Sequence, residues 1–182
     1  MFFNSFMASH GSSFRCQREL EHASPVRTIR HFSATSDADR LSEMMFEHWL
    51  SAATFDDAVT FLGQVTVPVV VLSNIDRLDI SAAIDHHGMR FTDVITSEDV
   101  RAYKPHPAMF EAGLHALGIS EPSRVLHIGD SLVSYVQGAN RCGIPVAWVN
   151  RTGKPTNGSA QPSRADRSVG SSTSPPTTSP RT

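Results

Sequence analysis

The stretch RVLHIGDSLVSYVQGANRCGIPVAWVN, residues 124–150, contains the pattern that decides the fold. An apolar run leads into Gly129-Asp130-Ser131, a helical pattern follows as far as Gly143, and a second apolar run comes next. Glycine commonly ends a helix, and short apolar runs are typical of strands buried on both faces. The stretch therefore predicts strands near 124–128 and 145–149, with a helix over 131–143 between them.

The same alternation extends toward the amino terminus. TVPVVVLSN predicts a buried strand over 67–72, and DVITSE predicts a short one over 94–96. The helical patterns RLDISAAIDHHG and HPAMFEAGLHALG follow these two strands in turn. Strands that alternate with helices through short links favour an α/β fold, a parallel sheet covered by helices on both sides in three layers.

Composition excludes several classes of function. The chain has 182 residues, a formal net charge of −2 and 40% hydrophobic residues. Such a charge predicts neither nucleic acid nor an anionic membrane as a partner, and the apolar run VPVVVL is too short to span a bilayer. Its two cysteines, Cys16 and Cys142, form no disulfide framework. A reducing compartment, the cytoplasm, is therefore expected.

The two ends of the chain differ from the middle. Residues 1–36 are interpreted as an irregular segment or a remnant of a cap, or alternatively as a targeting segment, because RTIRHFSATS faintly resembles a mitochondrial transit peptide. Residues 153–182 are dominated by Ser, Thr, Pro and Gly. Such a composition buries too little apolar surface to offset its ordering entropy, so a disordered low-complexity tail is predicted there.

Polar residues follow three of the predicted strands. Ser73-Asn74 comes after the first, Lys104 after the second and Asp130 after the third. Ligands of open parallel sheets bind beyond the carboxyl ends of the strands. A hydroxyl and an ammonium can hold an anionic oxygen, and an Asp after a Gly can approach Mg²⁺ closely. Each residue alone also fits a helix cap, a solvated loop or a turn.

Three segments together strongly resemble the haloacid dehalogenase (HAD) superfamily: VVVLSNID, YKPHPAMFEAGLHALGI and RVLHIGDSLVSYVQGANRCGIPVAWVNR. The resemblance covers about residues 41 to 151 and implies a HAD-like Rossmannoid core of three layers. It implies that Ser73, Asn74 and Lys104 bind the substrate anion, that Lys104 and Ser73 are also catalytic residues, and that Asp130 holds Mg²⁺. SNIDR and AWVNR look most like relatives of 2-haloacid dehalogenases, whereas GDS is the phosphatase-like form.

Two positions depart from the family pattern. Tyr135 stands where a second carboxylate is common, and an uncharged phenol is a poor Mg²⁺ ligand. The nucleophile of the family is the first Asp of a D-x-D-x-[TV] motif after the first strand, and no good copy exists here. Asp37 in SDADRLS has the right spacing to Asp39, but it also fits the N-cap of a helix over 37–54.

The resemblance therefore implies an incomplete HAD-like core over residues 37–152, in which the helix at 37–54 is the remnant of a helical cap. Met44, Met45 and Trp49 of that helix are interpreted as packing residues. Two functions remain open. The first is a hydrolase that converts a small phosphorylated or 2-halo acid metabolite through an aspartyl-enzyme intermediate. The second is a truncated, non-catalytic remnant that binds an anion or a partner chain.

Overall fold

A computed structural model describes residues 6 and 8–153. The predicted tail lies outside the described residues, apart from Gly153. The helices are α1 (Gln17–Phe32), α2 (Ala38–Ser51), α3 (Asp56–Gln64), α4 (Arg77–His86), α5 (Ser97–Val100), α6 (Pro107–Ala116) and α7 (Gly138–Arg141). The strands are β1 (Val70–Ser73), β2 (Asp93–Thr96), β3 (His127–Gly129) and β4 (Val146–Trp148). Single 3₁₀ turns form at Gly11–Ser13 and Pro122–Arg124.

The four strands confirm the predicted alternation and direction. β1 pairs in parallel with β2, with Val70 opposite Asp93, and β3 pairs in parallel with β4, with His127 opposite Val146. The strand near 124–128 begins later than expected, because Pro122–Arg124 forms a 3₁₀ turn. Proline supplies no backbone N–H and pre-sets the φ of a turn, which favours the turn over an extended start.

The sheet is interrupted between its two halves. Among the described residues, β1 and β2 form one two-stranded sheet and β3 and β4 form another, with no strand between them. Helix α6 packs against β1 and β2 on one side and against α7 on the other. The fully buried ring of Phe110 and the side chain of Met109 belong to this helix, so α6 carries the core that joins the halves.

The amino-terminal segment contains a long helix. α1 covers sixteen residues of the segment 1–36, so the interpretation of that segment as irregular is wrong for Gln17–Phe32. The carboxylate of Asp76, directly after β1, accepts hydrogen bonds from the backbone N–H groups of Gln17 (2.7 Å) and Arg18 (2.9 Å). These N–H groups have no partner within the helix, so a carboxylate from elsewhere in the chain anchors the helix to the core.

Two further helices show how local chemistry sets the boundaries. Asp37 caps α2 by accepting hydrogen bonds from the backbone N–H groups of Asp39 (3.0 Å) and Arg40 (3.1 Å), as the N-cap interpretation predicts. The predicted helix over 131–143 is divided: a π-helical segment, Leu132–Gln137, precedes α7.

No helix in the described part of the chain is long and apolar enough to cross a bilayer.

Candidate functional site

Two loops beyond the carboxyl ends of β1 and β2 are joined by Asn74 and Lys104. The backbone N–H of Lys104 donates to Asn74 Oδ1 (2.8 Å), and Asn74 Nδ2 donates back to the carbonyl of Lys104 (3.3 Å). The Lys104–Pro105 peptide bond is cis. Ser73 Oγ accepts from the backbone N–H of Ile75 (3.3 Å), as expected for a hydroxyl that organises a turn after a strand. The reciprocal pair fixes both loops at one edge of the sheet.

Lys104 is a buried amine at the centre of this edge. Its residue is 4% exposed, and its Nζ donates a hydrogen bond to the carbonyl of Leu72. Burial lowers the pKa of Lys104 to about 7, because an ammonium loses hydration there, and the charge of Asp130 acts in the opposite direction. Lys104 therefore lies close enough to Asp130 to feel its charge, as the shared strand-end position predicts.

Tyr135 fills the space between these groups. Lys104 Nζ lies 4.1 Å from the centroid of the Tyr135 ring. A Cβ atom added to Gly129 would lie 2.5 Å from a ring carbon of Tyr135, so only glycine permits this placement. Burial, with the charge of Asp130, raises the pKa of Tyr135. The neutral ring thus covers the amine and takes the position where a second carboxylate was expected.

These loops form one wall of a cavity of about 870 Å³, which we call the crevice. Ser73, Asn74, Lys104 and Tyr135 line it from the core. Helices α1 and α2 close the other side with an apolar wall that includes Leu41, Met45 and Trp49. Of the three α2 residues interpreted as packing residues, Met45 and Trp49 line the crevice, whereas Met44 is 55% exposed. Ser73 and Lys104 share one cavity, whereas Asp130 is exposed and is not among the residues that line it.

One carboxylate in the crevice was missed by the sequence analysis. Glu21 on α1 lines the cavity, is 3% exposed and accepts a hydrogen bond from Gln17 Nε2 (2.6 Å). Burial raises the pKa of Glu21 to about 7, although the Gln17 hydrogen bond opposes the shift. Its spacing of four residues from Gln17 places both on one helix face, but the sequence alone does not show that this face is buried.

The position of Glu21 is held by two links between α1 and the core. Asp76 caps the first turn of α1, and Arg18 forms an ion pair with the buried carboxylate of Asp79, with Nε to Oδ2 at 2.8 Å. Glu21 lies one turn beyond these anchors, so its direction into the crevice is fixed by the core. By contrast, the candidate nucleophile Asp37 is an exposed helix cap and does not line the crevice.

The donor set at Asp130 fits Mg²⁺ poorly. Mg²⁺ prefers an octahedral shell of oxygen ligands that includes one or two carboxylates. Within residues 6 and 8–153, no three His, Cys, Asp or Glu side chains lie close enough together to share a metal ion. The phenol of Tyr135, which stands where a second carboxylate is common, stays protonated because its pKa is raised. Asp130 as a metal ligand therefore stays a prediction.

Comparison with known proteins gives the family. Residues 18–143 match the haloacid dehalogenase-like hydrolase family. The chain is 30% identical over 131 residues to the (S)-2-haloacid dehalogenase of Pseudomonas sp. (strain YL), which covers 69% of this chain and 55% of that enzyme. It is 28% identical over 137 residues to the phosphoserine phosphatase of Thermus thermophilus, and the matched region covers 71% of this chain and 53% of that enzyme. The chain spans about half the length of these two enzymes.

Solved structures show the same fold. The L-2-haloacid dehalogenase of Xanthobacter autotrophicus has a TM-score of 0.71 at 22% identity, over 82% of this chain and 61% of that chain. A HAD hydrolase of Bacillus subtilis bound to magnesium has a TM-score of 0.72 at 18% identity, over 85% of this chain and 71% of that chain. The chain thus has a HAD-like α/β fold and belongs to the haloacid dehalogenase-like hydrolase family, and the family match also includes most of α1.

Proposed function

We propose that this member of the haloacid dehalogenase-like hydrolases uses the crevice to bind a small phosphorylated or 2-halo acid metabolite as part of a hydrolase site. The observation that carries the proposal is the shared cavity of Ser73, Asn74 and Lys104. Phosphate and carboxylate are both anions that an ammonium, a hydroxyl and an amide can hold. The apolar wall on α2 then receives the remainder of a small substrate.

Each polar residue has one role in binding. Lys104 supplies the positive charge, and an anion that displaces the Tyr135 ring from it gains a charged hydrogen bond in a buried site. The Ser73 hydroxyl can donate a second hydrogen bond to the same anion. Asn74 positions Lys104 through the reciprocal backbone pair and holds the two loops together.

The attack on the substrate needs a carboxylate or an activated water molecule. The resemblance implies an aspartyl-enzyme intermediate, but covalent catalysis requires an aspartate within attack distance, and Asp37 is occupied as a helix cap. Glu21 is the carboxylate that faces the crevice, and a pKa of about 7 suits it to accept a proton from water at neutral pH. Binding without turnover is the second candidate function, and it is favoured by the position of Asp37.

Magnesium belongs to the proposal only in a limited form. When bound, the ion would polarise a phosphoryl oxygen, and Asp130 is the residue that would hold it. Because the donor set fits the ion poorly, Lys104 and Ser73 are expected to hold the anion in its absence. The free cysteines Cys16 and Cys142 are consistent with the cytoplasm as the proposed compartment, with the mitochondrion as the alternative.

The proposal is tested by anion binding. Isothermal titration of the purified chain with inorganic phosphate and with 2-chloropropionate should show saturable binding, and Lys104→Met should weaken it by about tenfold or more. Arg90→Met is the matched control, because this exposed cation precedes β2 and lies at the opposite edge of the sheet. Equal binding by the protein and the Lys104 variant would show that the crevice is not the anion site.

Turnover is measured separately from binding. We expect no measurable hydrolysis of an aryl phosphate with Mg²⁺, because no aspartate of the described residues lines the crevice and covalent catalysis without a placed nucleophile is slower by several orders of magnitude. If turnover is observed, Asp37→Asn and Glu21→Gln are compared one at a time. Loss of activity with Asp37→Asn would identify SDADRLS as the nucleophile motif, whereas loss with Glu21→Gln would identify water activation in the crevice.

A further inference from the structure

A second cavity lies between the two halves of the sheet. This cavity, which we call the slot, has a volume of about 1030 Å³. It is lined by residues of β1, by residues of β3 with the adjoining Leu126, and by residues of α3 and of the segment that links α3 to β1. No residue of β2 or β4 lines it, although both strands are fully described. The slot therefore separates the edge of β1 that faces away from β2 from the edge of β3 that faces away from β4.

The backbone shows which groups face the slot. The carbonyl of Val69 accepts from the N–H of Thr92 (2.8 Å), so Val69 faces β2. Backbone polar groups alternate from one side of a strand to the other along the chain. Val70 and Leu72 therefore direct their N–H and C=O groups toward the slot, and the carbonyl of Leu72 is reached there by Lys104 Nζ.

The same argument applies to β3. The N–H of His127 donates to the carbonyl of Pro145 (2.9 Å), and the carbonyl of Gly129 accepts from the N–H of Val149 (2.9 Å). His127 and Gly129 thus face β4, and Leu126 and Ile128 face the slot. Two strand edges that pair with no other described strand oppose each other across one cavity, which is the environment of a strand in the middle of a sheet.

The side chains around the slot are mostly apolar. Exposed strand edges, by contrast, are usually protected by charge. Leu126 is 57% exposed and Ile128 is 45% exposed. Phe110 and Leu114 of α6 form the floor, with Gly113 directly under the Leu72 side chain. The buried Nε2 of His127 has no hydrogen-bond partner. An occupant is therefore expected to be extended and apolar, and one of its polar groups can pair with His127.

The two ends of the slot give the direction of the occupant. Lys104 contacts Leu72 near the carboxyl end of β1 and Tyr135 beside Gly129, the last residue of β3. Both strands thus end at Lys104, and both run the same way along the slot. A strand parallel to them ends beside a buried cation, where a carboxylate is electrostatically favoured.

We propose that the slot binds an extended apolar segment of another polypeptide, parallel to β1 and β3, with a carboxylate at its carboxyl end beside Lys104. This is recognition by strand addition on two edges at once. Residues 154–182 of the chain do not have this chemistry, because Val169 is their single large aliphatic residue. Within its described residues, a second folded copy presents only strands that are already paired in its own sheets.

The test uses the full chain and a fluorescein-labelled peptide, Lys-Val-Ile-Val-Phe-Asp, capped at both termini. Fluorescence anisotropy should show saturable binding, and hydrogen exchange should slow at the amides of Leu72 and Ile128. The same peptide with N-methyl groups on alternate amides should bind about tenfold or more weakly, because it cannot pair with the strand edges. Replacing its Asp by Asn should weaken binding about threefold or more.

Two variants of the chain locate the binding. Leu126→Asp should weaken peptide binding about tenfold, because it adds a charge to the apolar wall of the slot. Leu78→Asp, at an 81% exposed position on α4 outside the slot, should leave binding unchanged. Equal binding of the N-methylated peptide, or an equal effect of the two variants, would overturn the proposal.

If the slot bound a different segment, the measurements would give different results. Sedimentation that shows a dimer, abolished by Leu126→Asp, would assign the slot to a second copy. Peptide binding that appears only after removal of residues 1–5 would assign it to the amino terminus of the chain itself. Either result would overturn the proposed partner. A monomer that binds the peptide without such removal supports it.

Discussion

The crevice and the slot are two cavities of similar size that differ in the polar groups on their walls. The crevice presents a lysine, a glutamate, a serine and an asparagine to its interior beside an apolar wall, whereas the slot is lined mainly by apolar side chains from β1, β3, α3 and α6. Lys104 and Tyr135 line both cavities, so they form the boundary between them. The comparison shows that one sheet edge carries the polar chemistry while the sheet interior beside it remains open.

The two cavities also differ in how their walls are held. The crevice is closed by α1, which is tied to the core by the Asp76 cap and the Arg18–Asp79 ion pair. Across the slot, the two strand edges make no backbone ladder with each other. The crevice wall is therefore attached to the core by polar contacts, whereas the two halves of the sheet are joined through α6, the helix that forms the floor of the slot.

The largest expected effect on stability comes from a change in α6, the helix that forms the floor of the slot. Phe110→Ala removes a fully buried ring that touches Gly138 and lies 5.4 Å from the His127 ring, so it should cost about 3–5 kcal/mol of unfolding free energy. Ser73→Ala in the crevice should cost less than about 1 kcal/mol while it weakens phosphate binding. Urea denaturation with a titration of each variant measures both effects.

The control for this prediction is Phe32→Ala. This phenylalanine is 72% exposed, so its loss should change the unfolding free energy by no more than about 0.5 kcal/mol. If Phe110→Ala proved as mild as the control, the floor of the slot would not be the element that joins the two halves, and the contrast between the cavities would fail.

The sequence predicts the alternation of the fold well because each element carries a local signal. The runs before Ser73 and Asp130 are apolar and bounded by turn residues, and Gly118 and Gly143, which have positive φ, follow helices as expected. Asp37 as an N-cap is a local signal too, and the structure confirms it. Local signals also place Ser73 and Lys104 at one sheet edge, because strand direction follows from the alternation.

Features that depend on contacts between distant parts of the chain were not predictable. Asp76 lies 59 residues from Gln17, whose N–H it accepts, so no pattern within α1 predicts its anchor or the burial of Glu21. The π-helical segment contains Tyr135, whose ring lies against Gly129, a contact that no local pattern indicates. Leu126 reads as a buried strand residue, and its exposure follows from the space beside β3.

An intermediate effect on stability is expected from Glu21, the buried carboxylate of the crevice. Because the folded-state pKa of Glu21 is raised from 4.5 to about 7, the folded protein holds this proton more tightly than the unfolded chain. Its contribution to stability is complete below pH about 4.5 and is lost as the pH rises through about 7, a change of about 3 kcal/mol. Glu21→Gln should remove this loss and make the protein more stable than the original chain at pH 8.

This effect is measured as the difference in unfolding free energy between the protein and Glu21→Gln from pH 5 to pH 8.5. Glu43→Gln, at an exposed position on α2, is the matched control and should change stability by no more than about 0.5 kcal/mol at any pH. A pH-independent difference for Glu21→Gln would mean that its carboxylate is solvated and that the crevice is more open than the structure shows.

The smallest expected effects on stability come from the two helix-capping residues Asp76 and Asp37. Their comparison tests whether α1, a wall of the crevice, is attached to the core. Asp76 and Asp37 each accept hydrogen bonds from two backbone N–H groups, but Asp76 is 5% exposed and Asp37 is exposed. Water can replace the Asp37 carboxylate, so Asp37→Ala should cost about 1 kcal/mol, whereas Asp76→Ala leaves the N–H of buried Gln17 without a partner and should cost about 2 kcal/mol. Asp76→Ala should also weaken phosphate binding, since α1 forms a wall of the crevice, and Asp37→Ala should not. The reverse order of the two costs, measured by urea denaturation, would show that α1 is held by its contacts with α2 and not by the core.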